Sequence, residues 1–175
     1  MGLVIINNGE RARVTEPTVQ NLVGELSGAV RHLLSRPDGV RQFQQARVMF
    51  EVALVRHAAT HATQAQIVTL KALLDTNKAA IGQERAFEHT DVAFHYGLAE
   101  IPGNPIFTAL HAAIADWLVE QRTISIRARG SDRAAFRAHK RICECVAAHD
   151  VDGAEEAMRH HLAEVEKFYW QVRGR

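Results

Sequence analysis

Four residues whose side chains commonly ligate metal ions lie at spacings that helices can bring together. They are Asp91, His95, His139 and His161. Asp91 and His95 are four residues apart, so on a helix they share one face and can reach the same point. One carboxylate with three imidazoles suits a borderline divalent ion. The four residues therefore predict a divalent metal site, with zinc as the first candidate and nickel, manganese or iron as others.

Spacing alone leaves a second interpretation of these histidines open. Apolar neighbours, such as Phe94 and Leu98 around His95, favour positions inside a helical bundle, where metal sites are often built from facing helices. The alternative is a set of surface or singly hydrogen-bonded histidines. His160 points about 100° away from His161 on one helix, so the two cannot face one point. Six further histidines are interpreted as exposed or structural, namely His32, His57, His61, His89, His111 and His149.

Composition indicates one globular domain, or one domain with a fragment of another. The chain has 175 residues, of which 47% are hydrophobic and 23% charged. A formal net charge of +1 gives no bulk signature of a nucleic-acid or membrane binder. The first residues, MGLVIINNGE, lack the pattern of a signal peptide. Cys143 and Cys145 are two residues apart on a predicted helix and point in different directions, so they cannot easily bridge each other, which favours a reduced, cytoplasmic protein.

Catalytic motifs are absent from the sequence. It contains no HExxH arrangement, Gly-rich phosphate loop, nucleophile elbow or CxxC pair. A zinc hydrolase needs a general base near the ion, and none is indicated. Catalysis is therefore the less favoured use of the metal, and we expect a protein that is not an enzyme.

The periodicity of apolar residues changes after residue 17. Residues 1–17 are predicted to form a β-hairpin, because GLVII (2–6) and RARVTEP (11–17) flank the turn-forming NNGE. From Thr18 onward the apolar spacing is helical. The prediction is an all-α antiparallel bundle of six to seven helices, one of them continuous from Asn104-Pro105 to about residue 126. Thr63 and Ser131 are predicted helix N-caps.

Several short motifs surround the candidate ligands: Arg47-x-x-x-Glu51, Asp91-x-x-Phe94-His95, Asn104, His139-x-x-Ile142, Asp150, Ala157 and His161-Leu162. Together they resemble the effector-binding (FCD) domain of the FadR subfamily of GntR-type transcriptional regulators, over about residues 40–170. The resemblance implies an antiparallel helical bundle that forms homodimers. It also implies that one Asp and three His hold the metal, at the four positions named above. A small carboxylate effector is expected at or beside that metal.

The same resemblance gives the hairpin a meaning. GLV (2–4) and GERARV (9–14) resemble the wing of a GntR winged helix-turn-helix. The implied domains are 1–17, a remnant wing of the DNA-binding domain; 18–38, a linker helix; and 39–175, the metal- and effector-binding bundle. Operator DNA is an expected partner only of a full-length protein that has the recognition helix. The wing residues expected to touch phosphates or the minor groove are Asn7, Asn8, Arg11 and Arg13.

Two residues outside the metal set are candidate effector contacts. Arg47 could clamp a carboxylate, and the alternative is an ion pair with Glu51 one turn away. Asn104 could contact the effector, and the alternative is a helix N-cap. LVIINNGERARVTEP (3–17) and LAEIPGNPIF (98–107) resemble the members of the family that respond to sialic acid. Sialic acid or another sugar acid is therefore the expected effector. A metal-dependent enzyme acting on a small acid or ester, and a structural dimerisation module, remain alternatives.

Overall fold

The computed structural model describes residues 4–5, 13–14 and 18–174, and residues 18–174 are helical with short connections. The all-α class is confirmed. The described part has eight helices: α1 (Val19–Leu34), α2 (Gly39–His61), α3 (Gln64–Ala79), α4 (Glu84–Glu100), α5 (Pro105–Trp117), α6 (Val119–Ile126), α7 (Ser131–Ala147) and α8 (Val151–Arg173). The predicted count of six to seven was too low by one.

The extra helix arises from a break at Leu118. The sequence has no Pro or Gly between residues 106 and 126, so its pattern predicted one continuous helix. Leu118 leaves the helical region with φ −101° and ψ 16°, and its side chain is buried. Beside it, the Trp117 indole N–H donates to Ser27 Oγ on α1 at 3.1 Å. The break thus coincides with tertiary contacts, namely the hydrogen bond to α1 and the burial of Leu118, which the local sequence does not predict.

The predicted hairpin over residues 1–17 lies mostly outside the described residues. Strands β1 (Val4–Ile5) and β2 (Arg13–Val14) pair antiparallel, with Val4 opposite Val14 and Ile5 opposite Arg13. The predicted turn between them is not among the described residues. The hairpin as a whole therefore stays a prediction.

Of the two predicted helix N-caps, one is confirmed and the other is wrong. Thr63 caps α3 as predicted, in a reciprocal capping box with Gln66. Ser131 does not cap α7, because the cap is Gly130, whose φ of +79° favours glycine. Ser131 is instead the first residue of the helix, and its hydroxyl donates to the Ile126 carbonyl at 2.8 Å.

The helices enclose one main core at the centre of the bundle. Helix α8 packs on α2, α6 and α7, while α3 packs on α4 and α7. Fully buried Val55, Phe94, Ile142 and Met158 join these layers. Gly97 allows α4 to approach α3 closely, since a Cβ there would lie 2.5 Å from Leu73 Cδ1. Helix α4, which makes this close contact, carries two of the candidate ligands.

Helix α1, predicted as a linker, packs mainly on α5 and buries Val23 and Val30. Among the helices of the described ranges, none combines the length and apolar character needed to cross a bilayer.

Candidate metal centre and adjoining cavities

The four candidate ligands meet between α4, α7 and α8. Asp91 and His95 lie one turn apart on α4, His139 lies on α7, and His161 lies on α8. All four are buried, and one potential ligand atom from each lies within 4.8 Å of the other three. The structure therefore brings the predicted residues into one cluster.

Three of the six distances between ligand atoms in the cluster match those around a single small cation. Nε2 of His161 lies 3.2 Å from Nε2 of His95 and 3.2 Å from Nε2 of His139. Nε2 of His139 lies 3.4 Å from Oδ1 of Asp91. Zinc bonds to nitrogen and oxygen are about 2.0–2.1 Å long, which separates tetrahedral ligand atoms by about 3.3 Å. The spacing fits a divalent ion at the centre.

Glu51 orients His95. Nδ1 of His95 donates to Oε2 of Glu51 at 2.5 Å, and the other Glu51 oxygen accepts from Arg47 Nε at 2.8 Å. Burial opposes the negative charge of Glu51, but interactions with His95 and Arg47 hold the pKa of its carboxyl well below the usual range. Because the Nδ1 proton is used in this contact, a neutral His95 presents the lone pair of Nε2 to the cluster.

Asn77 orients His139 as Glu51 orients His95, through Nδ1 of the imidazole, but with a neutral amide in place of a carboxylate. Oδ1 of Asn77 lies 3.0 Å from Nδ1 of His139, and Nδ2 of Asn77 donates to Thr90 Oγ1 at 3.0 Å. The Thr90 hydroxyl itself is within 3.0 Å of the carbonyls of Ala86 and Phe87, so it donates to the helix and accepts from Asn77. This chain fixes the amide orientation, and His139 therefore also presents its Nε2 lone pair.

Because Nδ1 of His95 and of His139 is used in these contacts, the Nε2 atoms that face the centre of the cluster are hydrogen-bond acceptors. If His161 carries a proton on Nε2, that proton can satisfy only one of its two imidazole neighbours. Asp91 adds a carboxylate to the same point. Burial lowers the pKa of His139 and of His161 well below the usual range. Both are thus neutral at pH 7, in the form that ligates metals, and the donor set fits a divalent ion.

Three small cavities share two arginines, and two of these cavities adjoin the cluster. Their volumes are about 30, 20 and 10 Å³, and Arg47 and Arg122 line all three. Asp91 and His161 line the first, and Asp91 and His95 line the third. Each cavity is about as large as one water molecule. The candidate metal cluster therefore borders two of these cavities, and two guanidinium groups line all three.

Arg122 is held beside Asp91 without a full set of partners. Its Nη2 donates to the Ala115 carbonyl at 2.9 Å, and its Nε lies 4.0 Å from Oδ2 of Asp91. Within the described part of the chain, that Nε has no hydrogen-bond partner. Burial lowers the pKa of Arg122, as does the charge of Arg47. A guanidinium in this position can bind an anion that also reaches the metal.

His111 lies beside the cluster although the sequence assigned it no role there. It is buried, and its ring stacks on His95 with centroids 6.4 Å apart. Burial lowers the pKa of His111 from 6.5 to about 4. The interpretation as a structural histidine is compatible with this position, and His111 also lines the smallest cavity.

The two predicted effector residues have different surroundings. Arg47 lines all three cavities and also forms the ion pair with Glu51, so both of its interpretations have a structural counterpart. Asn104 is exposed and caps α5, with its Oδ1 accepting from the Ile106 N–H at 3.0 Å. It does not line these cavities. The predicted DNA contacts Asn7, Asn8 and Arg11 lie outside the described residues, as does the side chain of Arg13.

Sequence reasoning gave no site role to Glu51, Asn77 or Arg122. Glu51 had a signal, since it lies one turn from Arg47 in a motif already singled out. Asn77 and Arg122 had none, because a polar residue on an amphipathic helix is usually exposed. Only the packing of α3 and α6 against the cluster brings these two side chains inward.

Comparison with known proteins identifies the family of the chain. Residues 42–164 match the model of the FCD domain. The HTH-type transcriptional repressor NanR of Escherichia coli K12 is 45% identical over 166 residues, covering 94% of this chain and 63% of the relative. NanR of Enterobacter sp. strain 638 is 43% identical, covering 94% and 64%. The chain thus spans a little under two thirds of the length of these curated relatives.

Solved structures show the same fold at low identity. Streptococcus agalactiae GntR has a TM-score of 0.66 at 17% identity, over 95% of this chain and 75% of that chain. Escherichia coli McbR/YncC has a TM-score of 0.68 at 13% identity, over 97% and 77%. The expected resemblance is confirmed: the chain belongs to the FCD-domain, FadR-type branch of the GntR family of regulators.

Proposed function

We propose that this chain is the effector-sensing and dimerising part of a GntR/FadR-type transcriptional repressor. A divalent metal, zinc first, is held by Asp91, His95, His139 and His161. A small carboxylate bound beside it controls operator binding. The proposed units are a wing over residues 1–17, a linker helix over 18–38 and the sensing bundle over 39–175. Similarity to repressors named NanR supports the regulatory role.

The balance of buried charge carries the proposal of a carboxylate effector. Asp91 and Glu51 supply two negative charges near the centre, and Arg47 and Arg122 supply two positive ones. These cancel, so a divalent ion leaves two positive charges in a buried space. Glu164 and Glu166 line the cavities and Glu88 interacts with Arg122, but these three carboxylates are partly exposed. Because an uncompensated buried charge is costly, the metal-loaded site favours an anion.

Both arginines have a place in this binding. Since Arg47 and Arg122 separate three water-sized cavities, rotation of the two side chains toward a shared carboxylate joins those spaces into one. Such a rotation moves side chains of α2 and α6, and both helices pack on α8. Effector binding thereby shifts the population of bundle conformations, provided that the two conformations bind it unequally.

The alternative of a metal-dependent enzyme has less support. A hydrolase would need a general base near the ion. Among the described residues at the cluster, Asp91 is a candidate ligand and Glu51 is shared by His95 and Arg47. Neither carboxylate is free for that role, and Glu164, which lines the first cavity, is partly exposed and lies 3.7 Å from Nδ1 of His160.

Thermal unfolding of metal-loaded and chelator-treated protein tests the proposal. We expect N-acetylneuraminate, or another sugar acid in the same screen, to raise the unfolding temperature of the zinc-loaded protein only. The methyl ester of the same acid, which lacks the charge, should have little effect. Equal stabilisation by acid and ester, or no stabilisation by any acid, would contradict it. Hydrolysis of the ester that stops on chelation would favour the enzyme.

A further inference from the structure

The buried polar atoms without partners are concentrated around the cavity system. In the described part of the chain they are Gln44 Oε1, Gln121 Oε1, His111 Nδ1 and Arg122 Nε. Gln44 and Gln121 line the 20 Å³ cavity, His111 lines the 10 Å³ cavity, and Arg122 lines all three. An unsatisfied buried polar atom costs about 1–3 kcal/mol. Four such atoms around one space indicate that a ligand or ordered water completes them.

The chemistry of these atoms divides the space into two sides. Arg122 Nε lies on the Asp91 side and is a donor, so it matches a carboxylate oxygen. The carboxamide oxygens of Gln44 and Gln121 are acceptors, so they match a hydroxyl or an amide N–H. A hydroxyl group also suits a glutamine whose amide is turned the other way, because it can both donate and accept.

The two glutamines approach the cavity from different helices. Gln44 lies on α2, one turn before Arg47, and Gln121 lies on α6, next to Arg122. Each arginine thus has a glutamine within one helical turn of it, and all four side chains line the same cavity. The apolar residues of that wall are Val48, Leu118, Leu162 and Val165.

We propose that Gln44 and Gln121 are specificity-determining residues of the effector site, which select acids that carry hydroxyl or amide N–H groups over plain carboxylic acids. The inference rests on the proposed sensing function and deepens it. In this arrangement the metal and the arginines bind the carboxylate of the acid, and the glutamines form hydrogen bonds with its hydroxyl or amide N–H groups. A plain aliphatic acid leaves both glutamine oxygens without a donor, and that loss sets the discrimination.

Calorimetry on the zinc-loaded protein tests this with matched acids. D-gluconate and hexanoate are six-carbon acids that differ in their hydroxyl groups, and N-acetylneuraminate adds an amide. We expect the wild-type chain to bind at least one of the two hydroxylated acids at least about tenfold more tightly than hexanoate. Gln44→Met and Gln121→Met should each weaken that hydroxylated acid about tenfold and change hexanoate less than about twofold. Gln42→Met, on the exposed face of α2, is the matched control.

The outcomes separate this inference from the proposed function. If acids bind the wild type and both glutamine variants equally, the specificity role is overturned while the sensor stands, and ordered water satisfies the glutamines. If hexanoate binds the wild type as tightly as the hydroxylated acids do, the specificity role is likewise overturned while the sensor stands. If no acid binds the zinc-loaded wild type, the sensor itself is wrong and the inference falls with it. Zinc content of each variant, measured alongside, shows that the cluster is intact.

Discussion

The two sides of the metal cluster hold their histidines with different chemistry. On one side, His95 donates to the carboxylate of Glu51, which is paired with Arg47 at the cavities. On the other side, His139 contacts the neutral amide of Asn77. That amide donates to the Thr90 hydroxyl, which in turn donates to a backbone carbonyl of α4. Both arrangements favour the same tautomer. Orientation therefore does not require charge, and the charged pair lies where the cluster meets the cavities.

This difference has a consequence for coupling between sites. A ligand that draws Arg47 away from Glu51 changes the charge balance behind His95, whereas the chain behind His139 has no member that lines the three cavities. In the proposed sensor, the His95 side would respond to the effector, and the His139 side would keep its geometry. Variants on each side should separate these two roles.

Removal of a ligand should have the largest effect, and it should be equal on the two sides. His95→Ala and His139→Ala each delete an Nε2 atom from the centre. We expect zinc affinity, measured by chelator competition, to fall by more than the roughly 100-fold limit for outer-shell changes. His160→Ala is the control, because His160 is exposed next to His161 and lies outside the cluster. Zinc content at the wild-type level in either ligand variant would contradict the site.

Acid should affect the metal-free cluster through its histidines before its carboxylate. The unfolded chain takes up histidine protons near pH 6.5, whereas the pKa of folded His111 is about 4 and those of His139 and His161 are also lowered. The contribution of these buried histidines to the free energy of unfolding is therefore fully present above pH 6.5, and it is lost as the pH falls below that value. For His111 alone, the shift from 6.5 to about 4 corresponds to a loss of up to about 3 kcal/mol.

The Glu51 side adds its own loss at lower pH. The lowered pKa of that carboxyl gives stability above its ordinary value of 4.5, which is lost as the pH falls further. Chemical unfolding of chelator-treated protein from pH 7.5 to 4 measures both parts. A free energy of unfolding that stays flat between pH 6.5 and 4.5 would show that the histidines are not buried as neutral groups. The exposed variant His57→Ala should follow the wild type.

Glu51→Gln should make the charged side resemble the neutral one. The amide oxygen still accepts from His95, but the anion is lost and Arg47 is left without its partner. We expect zinc affinity to fall about 10- to 100-fold. The ratio of acid affinities with and without zinc should also change, because Arg47 is released. Glu144→Gln, which breaks an exposed pair with Lys140, is the control. An unchanged zinc affinity would mean that the charge of Glu51 does not contribute.

The sequence predicted the cluster better than it predicted the residues behind it. Asp91 and His95 share a helix face by spacing alone, and Thr63 caps α3 by a local rule. Asn77 lies in α3, and its inward position depends on how α3 packs against α4 and α7. The break at Leu118 likewise accompanies contacts with α1 and the core. Local rules therefore predicted most of the helices and the Asp91–His95 pair, and the family resemblance supplied the full set of four candidate ligands. The partners of those candidate ligands depended on tertiary packing.

Thr90→Ala should have the smallest effect, and it should be confined to the neutral side. The variant removes the hydroxyl that accepts from Asn77, so the amide can turn and present Nδ2 to His139. The loss of one neutral hydrogen bond, worth about 1 kcal/mol, should lower zinc affinity about fivefold. Thr69→Ala is a matched control, because Thr69 also donates to a carbonyl one turn earlier but is exposed. The effect of N-acetylneuraminate on zinc affinity should be the same as in the wild type, since no cavity residue changes. A changed effector response would show that the neutral chain also takes part in coupling.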